Sequence, residues 1–388
     1  MIRFYLILVL LLISTLCFLK APEYHLWLLA IGVTEFWWLF AGIAILLTAS
    51  GFWVQKYQLP GTILGLITLV IFLSPVVRAC WVSRDVGPAL AGSFNTTAQS
   101  QAKPFNFLNL FKSEKNLPPR AFTYVKYEDT SLTLDYYQSS KGEKKPCVIV
   151  VHGGSWSSGD SKQLPELNSY LAEKGYNVAA INYRMAPKYQ TPAPVEDIKA
   201  AMIYLKKNAD ALHIDTNSFF LLGRSAGAQI ALLAAYTLKE PAIKGVIDFY
   251  GPADMVWGYS IPSNPLIMDS RKVMDNYIGG PYSKVPQKYV ACSPLEFVDK
   301  QSPPTLIIHG TNDVLVSSEH SRRLDLKLQQ NGIEHYWLKL PWATHGFDYN
   351  LNGPGGQLST YAVETFLNAI SSQAQLKENK KEKMIVTQ

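Results

Sequence analysis

The 388-residue sequence has few cysteines and little net charge. Its four cysteines (Cys17, Cys80, Cys147 and Cys292) show neither a paired spacing nor a metal-binding pattern, so they indicate no metal centre and leave the redox compartment open. The net charge of +6 is spread along the chain apart from a lysine-rich tail, and no basic stripe with interleaved aromatic residues occurs. We therefore expect no nucleic-acid partner.

Long apolar runs, by contrast, fill the first eighty residues. They cover Phe4–Leu19, Leu26–Ala49 and Gly61–Val77, and each is near the length that spans a hydrocarbon layer. Several tryptophans lie near their ends, as in the aromatic belts of membrane proteins. We predict about three transmembrane helices within residues 1–81, with the lipid bilayer as a partner. The first run also has the character of a signal peptide, but the absence of a small-residue cleavage site after it favours a retained helix.

Glu35 interrupts the second run. A carboxylate inside a membrane is costly unless it is paired or shielded. It either makes a polar contact between helices, lines a small-molecule path or, as we favour, lies close enough to the interface to reach water. Basic residues are nearly balanced between the two sides of the membrane, so orientation is weakly specified. We expect a multi-pass protein of a membrane, the cytoplasmic membrane in a bacterial cell, with the C-terminal domain on the external side.

The rest of the chain has the composition of a linker, a folded domain and a tail. Residues 82–119 are rich in Gly, Ser, Thr, Asn, Gln and Pro, which is typical of a linker. From residue 120 to 373, predicted strands alternate with predicted helices after an initial hairpin. This order predicts an α/β domain with a mostly parallel, doubly wound sheet, whose ligand site lies at the carboxyl ends of the strands. The charged tail, residues 374–388, is expected to be disordered.

The strongest motif lies at residues 219–228. Phe219–Leu222 is predicted to be a buried strand, Gly223-Arg224-Ser225-Ala226-Gly227 a sharp turn, and the alanine-rich run after it a helix. Gly-x-Ser-x-Gly between a strand and a helix is typical of a nucleophile elbow. The glycines permit the close approach of strand and helix, and the serine hydroxyl is exposed above the sheet edge. An ordinary surface turn is the alternative.

A serine nucleophile needs a base, and the base needs a carboxylate that orients it. Among seven histidines, His345 follows the last predicted strand, in a loop from which it can reach a serine at the sheet edge. Asp313 follows the preceding strand, although Asp is also favoured as a helix cap, and Asp325 is a weaker candidate. The sequence therefore predicts Ser225 as nucleophile, His345 as base and Asp313 as acid.

The turn after the third domain strand contains the glycines of a second element. It runs His152-Gly153-Gly154-Ser155-Trp156. Glycines let backbone N–H groups turn towards a negatively charged oxygen. We predict an oxyanion hole with the N–H groups of Gly154, Ser155 and Ala226 as donors, Gly153 shaping the turn and His152 holding the loop.

These motifs resemble those of the α/β-hydrolase superfamily, and most closely those of its hormone-sensitive-lipase-like and feruloyl-esterase-like serine esterases. Further segments that carry the resemblance are Tyr183-Arg184-Met185-Ala186-Pro187, His309-Gly310-Thr311-Asn312-Asp313 and His345-Gly346-Phe347. It covers residues 122–370 and implies the α/β-hydrolase fold, a triad of Ser225, Asp313 and His345, and hydrolysis of a small-molecule carboxylic ester through an acyl-enzyme without metal or organic cofactor. The lipase-like group usually has a third glycine where this chain has Ser155, a difference that concerns the substrate.

Three other functions stay open at this point, because function does not follow from fold. One is amide or peptide cleavage on the same scaffold, and another is a non-catalytic binding module, which the complete triad disfavours. The third, which only Glu35 indicates, is a membrane segment that transports or senses a molecule and is served by the hydrolase. The segment Met255–Ala291, rich in apolar and aromatic residues, is either a lid that forms an acyl pocket or a long loop with ordinary packing. The oligomeric state is left open.

Overall fold

The computed structural model describes residues 1–53, 56–96, 100, 102–113 and 116–386, with side chains described as far as residue 376. Eight strands form one sheet at the centre of the described chain. They are β1 Arg120–Lys126, β2 Ser131–Tyr137, β3 Lys145–Val151, β4 Asn177–Ile181, β5 Ile214–Arg224, β6 Ile243–Phe249, β7 Thr305–Gly310 and β8 His335–Leu340. Their order across the sheet is β1-β2-β4-β3-β5-β6-β7-β8.

The sheet is mostly parallel, as the sequence predicts. β2 runs antiparallel to β1 and to β4, and every other neighbouring pair is parallel. Residues 147–151 of β3 are all buried, because a parallel strand inside such a sheet is covered by helices on both faces. The carboxyl ends of β3, β5, β7 and β8 therefore share one edge, where the predicted site residues follow them.

Helices cover both faces of the sheet. In chain order, the α-helices of the described residues, including those that precede the sheet, are α1 Ile2–Ser14, α2 Tyr24–Glu35, α3 Trp37–Ala49, α4 Gln58–Ser93, α5 Pro165–Glu173, α6 Ala193–Lys207, α7 Ala209–Leu212, α8 Ala226–Thr237, α9 Met255–Ser260, α10 Ser270–Ile278, α11 Pro286–Ala291, α12 Glu319–Gln330 and α13 Pro354–Val386. Helices α6, α8 and α12 pack on one face. The C-terminal half of α4, together with α5 and α13, packs on the other.

Helix α6 shows how the sequence specifies these layers. Its buried residues Ile198, Ala201, Met202 and Leu205 recur at helical spacing, which gives the helix one apolar face. Burial of this face contributes roughly 25 cal/mol for each Å² of apolar surface removed from water. The same spacing in the sequence is typical of a helix.

The N-terminal helices α1, α3 and α4 pack together around a buried arginine. The guanidinium of Arg3 donates hydrogen bonds to the carbonyl oxygens of Leu47 (2.8 Å) and Thr48 (3.1 Å) and to Oγ1 of Thr62 (2.9 Å). The two carbonyl groups lie in the last turn of α3, where backbone acceptors lack partners within the helix and a positive charge is favourable. Arg3 thus joins the ends of three helices.

The prediction of three transmembrane helices was wrong. In the described part of the chain, α4 is the one single helix long and apolar enough to cross a membrane, and the first apolar helix spans only Ile2–Cys17. The second apolar run is broken after Glu35, so that α2 and the following helix, Trp37–Phe52, meet at 82°. The pair counts as a second crossing only if both halves of the bend are taken as one span.

The break follows from the environment of Glu35, which we had expected near water. Its side chain is fully buried against the sheet domain. Its carboxylate accepts hydrogen bonds from the backbone N–H of Gly355 (2.8 Å) and from Nε1 of Trp342 (3.3 Å). A buried carboxylate needs such partners, and these lie in the sheet domain, so α2 turns towards that domain.

Two further boundaries differ from the sequence prediction. The stretch predicted as linker, residues 82–119, begins as helix, because α4 continues to Ser93 and buries Val86 and Leu90 against the sheet domain. Residues 97–99, 101, 114 and 115 of that stretch lie outside the described residues. The tail predicted as disordered is helical in its backbone as far as Val386, and residues 387–388 lie outside the described residues.

Candidate active site

Ser225 stands at a strained turn between β5 and α8. Its φ is +53° and its ψ −121°, a conformation that costs free energy for a residue with a side chain. Glycine is required on either side. A Cβ at Gly223 would lie 2.3 Å from the carbonyl oxygen of Gly227, and one at Gly227 would lie 2.2 Å from that of Val151. The turn is therefore the predicted elbow, with the serine side chain at the sheet edge.

The structure brings Ser225, His345 and Asp313 together. Nε2 of His345 lies 3.0 Å from Oγ of Ser225, and Nδ1 of His345 lies 2.7 Å from Oδ2 of Asp313. Both distances are within hydrogen-bond range. The three residues follow β5, β8 and β7, whose carboxyl ends meet at one edge. The arrangement orients one imidazole nitrogen to the hydroxyl and the other to the carboxylate.

Asp313 is fully buried and is held by several donors. Oδ1 accepts hydrogen bonds from the backbone N–H groups of Leu315 and Val316, both at 2.9 Å, and Oδ2 lies 3.1 Å from Nε2 of His309. Burial opposes ionisation, but the positive charge of His345 and the hydrogen bonds from the two histidines outweigh it, so the pKa of Asp313 is below its usual value. The carboxylate therefore stays ionised beside His345.

The turn after β3 has the backbone conformation of the predicted anion-binding loop. Gly154 and Ser155 have φ values of +117° and +53°. Within the described residues, the N–H groups of these two residues have no backbone partner outside helices and strands. The N–H of Gly153 is engaged, because it donates to Oε1 of Gln163 at 2.7 Å. Gly153 thus shapes the turn, and Gly154 and Ser155 present free donors near the elbow.

Two aromatic contacts fix this loop from behind. The ring of His152 stacks on Tyr183 at 4.3 Å, and burial lowers the pKa of His152, which keeps it neutral. Trp156 stacks on Tyr277 of α10 at 4.5 Å and donates from Nε1 to Oε1 of Gln229 on α8. The loop is therefore held by both the sheet domain and the insert between β6 and β7.

The insert borders a cavity that reaches Ser225. This cavity, of about 430 Å³, includes Ser225 and Asp313 in its wall, with apolar side chains of the insert such as Met255, Ile267 and Met268. The structure thus supports the hypothesis that residues 255–291 form a pocket wall, rather than a long loop with ordinary packing. Trp257 is not part of the wall, because it packs on His320 at 4.8 Å instead.

Sequence reasoning missed a buried network beneath His345. Arg224, at the variable position of the elbow, pairs with Asp348 at 2.6 Å, and Asp348 also accepts a hydrogen bond from the hydroxyl of Tyr250. The ring of Tyr250 lies 4.4 Å from that of His345. The available signal was charge, because Arg224 lies within the predicted elbow motif and Asp348 directly follows the His345-Gly346-Phe347 motif.

Three other acidic residues lie apart from the triad, including Asp325, the weaker candidate for the acid. Asp325 pairs with His335 at 3.3 Å and not with His345. Asp254 caps α9 and Asp160 stabilises a turn. No group of three or more His, Cys, Asp and Glu side chains in the described ranges is arranged to hold a metal ion.

Solved structures share this architecture. A hyperthermophilic esterase from the archaeon Pyrobaculum calidifontis aligns with a TM-score of 0.58 at 20% identity, over 76% of this chain and 91% of its own. A bacterial heroin esterase aligns with a TM-score of 0.58 at 19% identity, over 68% and 87%. At such identities the likeness concerns the fold. Together with the sheet order and the elbow, it defines the chain as an α/β-hydrolase-fold protein.

The family is narrower than that class. The BD-FAE family model matches residues 134–328, half of the chain, and the chain belongs to the BD-FAE family. The match includes Ser225 and Asp313 and ends before His345.

Curated relatives point in the same direction. Esterase LipC of Mycobacterium tuberculosis is 30% identical over 262 residues, which cover 63% of each protein. Esterase LipQ of the same organism is 29% identical over 242 residues, covering 59% of this chain and 56% of its own. The chain thus spans about three fifths of the length of these relatives.

Proposed function

We propose that the chain is a membrane-anchored serine hydrolase that cleaves small-molecule carboxylic esters through an acyl-enzyme. The observation that carries the proposal is the continuous hydrogen-bonded series from Asp313 through His345 to Ser225, with distances of 2.7 and 3.0 Å. The esterases among the relatives support ester hydrolysis as the reaction.

In the first half of the reaction, Oγ of Ser225 attacks the carbonyl carbon of the ester and its proton passes to Nε2 of His345. The carbonyl oxygen becomes negatively charged and accepts hydrogen bonds from the N–H groups of Gly154, Ser155 and Ala226. The protonated imidazole is stabilised by the ionised Asp313. His345 then gives the proton to the alkoxy oxygen, the C–O bond breaks, and the alcohol leaves an acyl-Ser225 ester.

In the second half, water replaces the alcohol. His345 accepts a proton from water at Nε2 while the oxygen attacks the acyl carbon, and the same N–H groups stabilise the second tetrahedral intermediate. The proton returns to Oγ of Ser225 as the acyl bond breaks, and a carboxylic acid is released.

The membrane part of the proposal rests on the exposed apolar side chains of α1, α3 and α4. Leu12, Leu46 and Val70 are 63%, 72% and 67% exposed. Water-soluble proteins rarely expose apolar patches on this scale, and α4 meets the length and composition required for a crossing. We infer that a bilayer covers these faces.

The reaction is tested with a chain-length series of p-nitrophenyl esters and the detergent-purified full chain. We expect turnover of short esters, a loss of at least about 10⁴-fold in Ser225→Ala, and labelling of Ser225 by a fluorophosphonate probe. An active Ser225→Ala variant would contradict the proposal. So would a wild-type protein that cleaves no ester and takes up no probe.

A further inference from the structure

The N-terminal helical segment contacts the catalytic machinery directly. Nε1 of Trp27, on α2, donates a hydrogen bond of 3.0 Å to the backbone carbonyl oxygen of His345. The two rings lie 6.4 Å apart. Trp27 lies 318 positions before His345 in the chain and well outside residues 134–328, which the family model matches. The contact is therefore a property of this chain's own N-terminal segment.

Residues along the whole length of helix α2 contact the loop of His345 or the segments next to it. At the C-terminal end of α2, Glu35 accepts the hydrogen bonds from Trp342 and Gly355. Between the two ends, Ile31 packs so closely that a Cβ at Gly346 would lie 3.3 Å from its Cδ1. The loop that carries the base is thus fixed on its outer side by α2. The network of Arg224, Asp348 and Tyr250 holds its inner side.

The turn before α2 reaches the substrate cavity. Lys20, Ala21 and Pro22 lie in the wall of the same 430 Å³ cavity as Ser225. Hydrogen bonds tie this turn to the insert: Nδ2 of Asn264 donates to the carbonyl oxygen of Pro22 (2.8 Å), and the N–H of Tyr24 donates to that of Leu266 (3.2 Å). Two segments far apart in sequence therefore form one continuous wall.

We propose that residues 20–35 complete the active site, with Trp27 as a positioning residue for the base and Ala21 as a specificity-determining residue of the pocket. The proposal rests on the ester hydrolysis proposed above. The nucleophile must meet the carbonyl carbon in a narrow range of distance and angle, so a small drift of the imidazole lowers the rate without weakening binding. Ala21 is 5% exposed, and a larger side chain there takes up cavity volume.

The positioning role is tested with Trp27→Phe in the full chain, which removes the N–H and keeps an aromatic ring. We expect kcat to fall roughly three- to tenfold, as loss of one hydrogen bond implies, with KM unchanged. Trp38→Phe is the matched control, because Trp38 lies on α3 and its ring packs on that of Phe111. A wild-type kcat in Trp27→Phe, or an equal loss in Trp38→Phe, would overturn this role.

The specificity role is tested with Ala21→Leu on the same ester series. We expect kcat/KM to fall more for long acyl chains than for short ones, so that the optimum moves to shorter chains. Gly42→Leu is the control, since among the described residues no atom other than those of its chain neighbours and its own helix backbone lies within 4 Å of a Cβ at Gly42, and Gly42 is not one of the residues of the cavity wall. An unchanged chain-length profile in Ala21→Leu would overturn this role.

The two proposals fail in different ways. Wild-type turnover with a silent Ser225→Ala variant establishes the hydrolase, and unaltered Trp27→Phe and Ala21→Leu variants then overturn the contribution of residues 20–35 alone. A wild-type protein that neither cleaves esters nor takes up a fluorophosphonate overturns both.

Discussion

The N-terminal helices and the sheet domain use apolar side chains in opposite ways. In the sheet domain such residues are buried between sheet and helices, and an exposed one such as Ile203, at 58%, is isolated on its helix. In α1, α3 and α4 many large apolar side chains are exposed, among them Leu12, Leu46 and Val70. The sheet domain thus keeps most of its apolar surface away from water, whereas the N-terminal helices leave much of theirs exposed, as we expect if the proposed bilayer covers it.

The boundary between the N-terminal helices and the sheet domain runs through helices and not through a linker. Helix α2 belongs to the apolar run in sequence, yet its Glu35 and Trp27 bond to the sheet domain. Helix α4 begins in the bundle and ends with Leu90 in the core beside the sheet. A division by composition places both helices in one region, while their contacts place them in two.

The largest effect is expected in the sheet domain, from Asp313→Asn. The amide no longer favours the imidazole tautomer with a free Nε2 acceptor, and it cannot stabilise the imidazolium, so we expect kcat to fall about 10⁴-fold. Asp325→Asn is the control, because Asp325 pairs with His335. Steady-state kinetics on a short ester measures both, and a comparable loss in Asp325→Asn would contradict the assignment of the acid.

The next effect separates the two apolar surfaces. Val70→Lys places a charge in the middle of the apolar stretch of α4, which costs about 3 kcal/mol at the centre of a bilayer. We expect a smaller share of this variant to float with lipid vesicles. Ile203→Lys, at a similarly exposed position of the sheet domain, should leave flotation unchanged. Equal flotation of both variants, or a wild-type chain that stays in the aqueous fraction, would argue against membrane anchoring.

A smaller effect is expected where the two regions meet. Glu35→Ala leaves the N–H groups of Gly355 and Trp342 buried without an acceptor, so we expect a loss of about 2–3 kcal/mol in stability. Thermal unfolding in detergent measures the loss. Glu35→Gln retains one acceptor oxygen and should lose less. If Glu35→Ala unfolds at the wild-type temperature, the two regions are not joined at this residue.

The last effect concerns the pH dependence of the sheet domain's stability. Burial lowers the pKa of His320 to about 3, so between about pH 6.5 and pH 3 the unfolded chain binds a proton that the folded chain does not. The free energy of unfolding therefore decreases as the pH falls through this range. We expect a shallower slope in His320→Gln, measured by denaturant unfolding at several pH values.

His335 supplies the contrast to His320. Burial would lower the pKa of His335, but the hydrogen bond to Asp325 outweighs it, so the pKa is raised. The contribution of His335 to the free energy of unfolding is therefore lost as the pH rises through the pKa of the folded state. His335→Gln should change the slope above about pH 6.5 and leave the acid range unaltered. If the free energy of unfolding has the same dependence on pH in His320→Gln as in the wild type, burial does not lower the pKa of His320 as described.

The sequence predicted the sheet domain well because its signals are local. Alternating strands and helices, the glycines around Ser225 and the strand ends before Asp313 and His345 each depend on neighbours in the chain. The fold they indicate agrees with the solved esterase structures. The predicted catalytic roles await the experiments above, and placement of the domain on the external side of a membrane stays a prediction.

The N-terminal segment was predicted less well because its shape depends on distant partners. Hydropathy alone makes residues 26–49 one span, but Glu35 finds its hydrogen-bond partners some 300 positions further on, and the helix breaks there. The same applies to Trp27 and to the buried pair of Arg224 and Asp348. No periodicity in the sequence indicates which carbonyl or carboxylate such side chains meet.

The length of helix α4 bears on how far the sheet domain would lie from the proposed bilayer. Its 36 residues extend about 54 Å, while a hydrocarbon layer is about 30 Å thick. In the proposed membrane-anchored protein, the apolar half of α4 lies in the bilayer, and its last turns pack on the sheet domain through Val86 and Leu90. The distance from the lipid to Ser225 is then limited by the length of this helix. We therefore expect the proposed hydrolase to act on esters that reach Ser225 at that distance from the membrane.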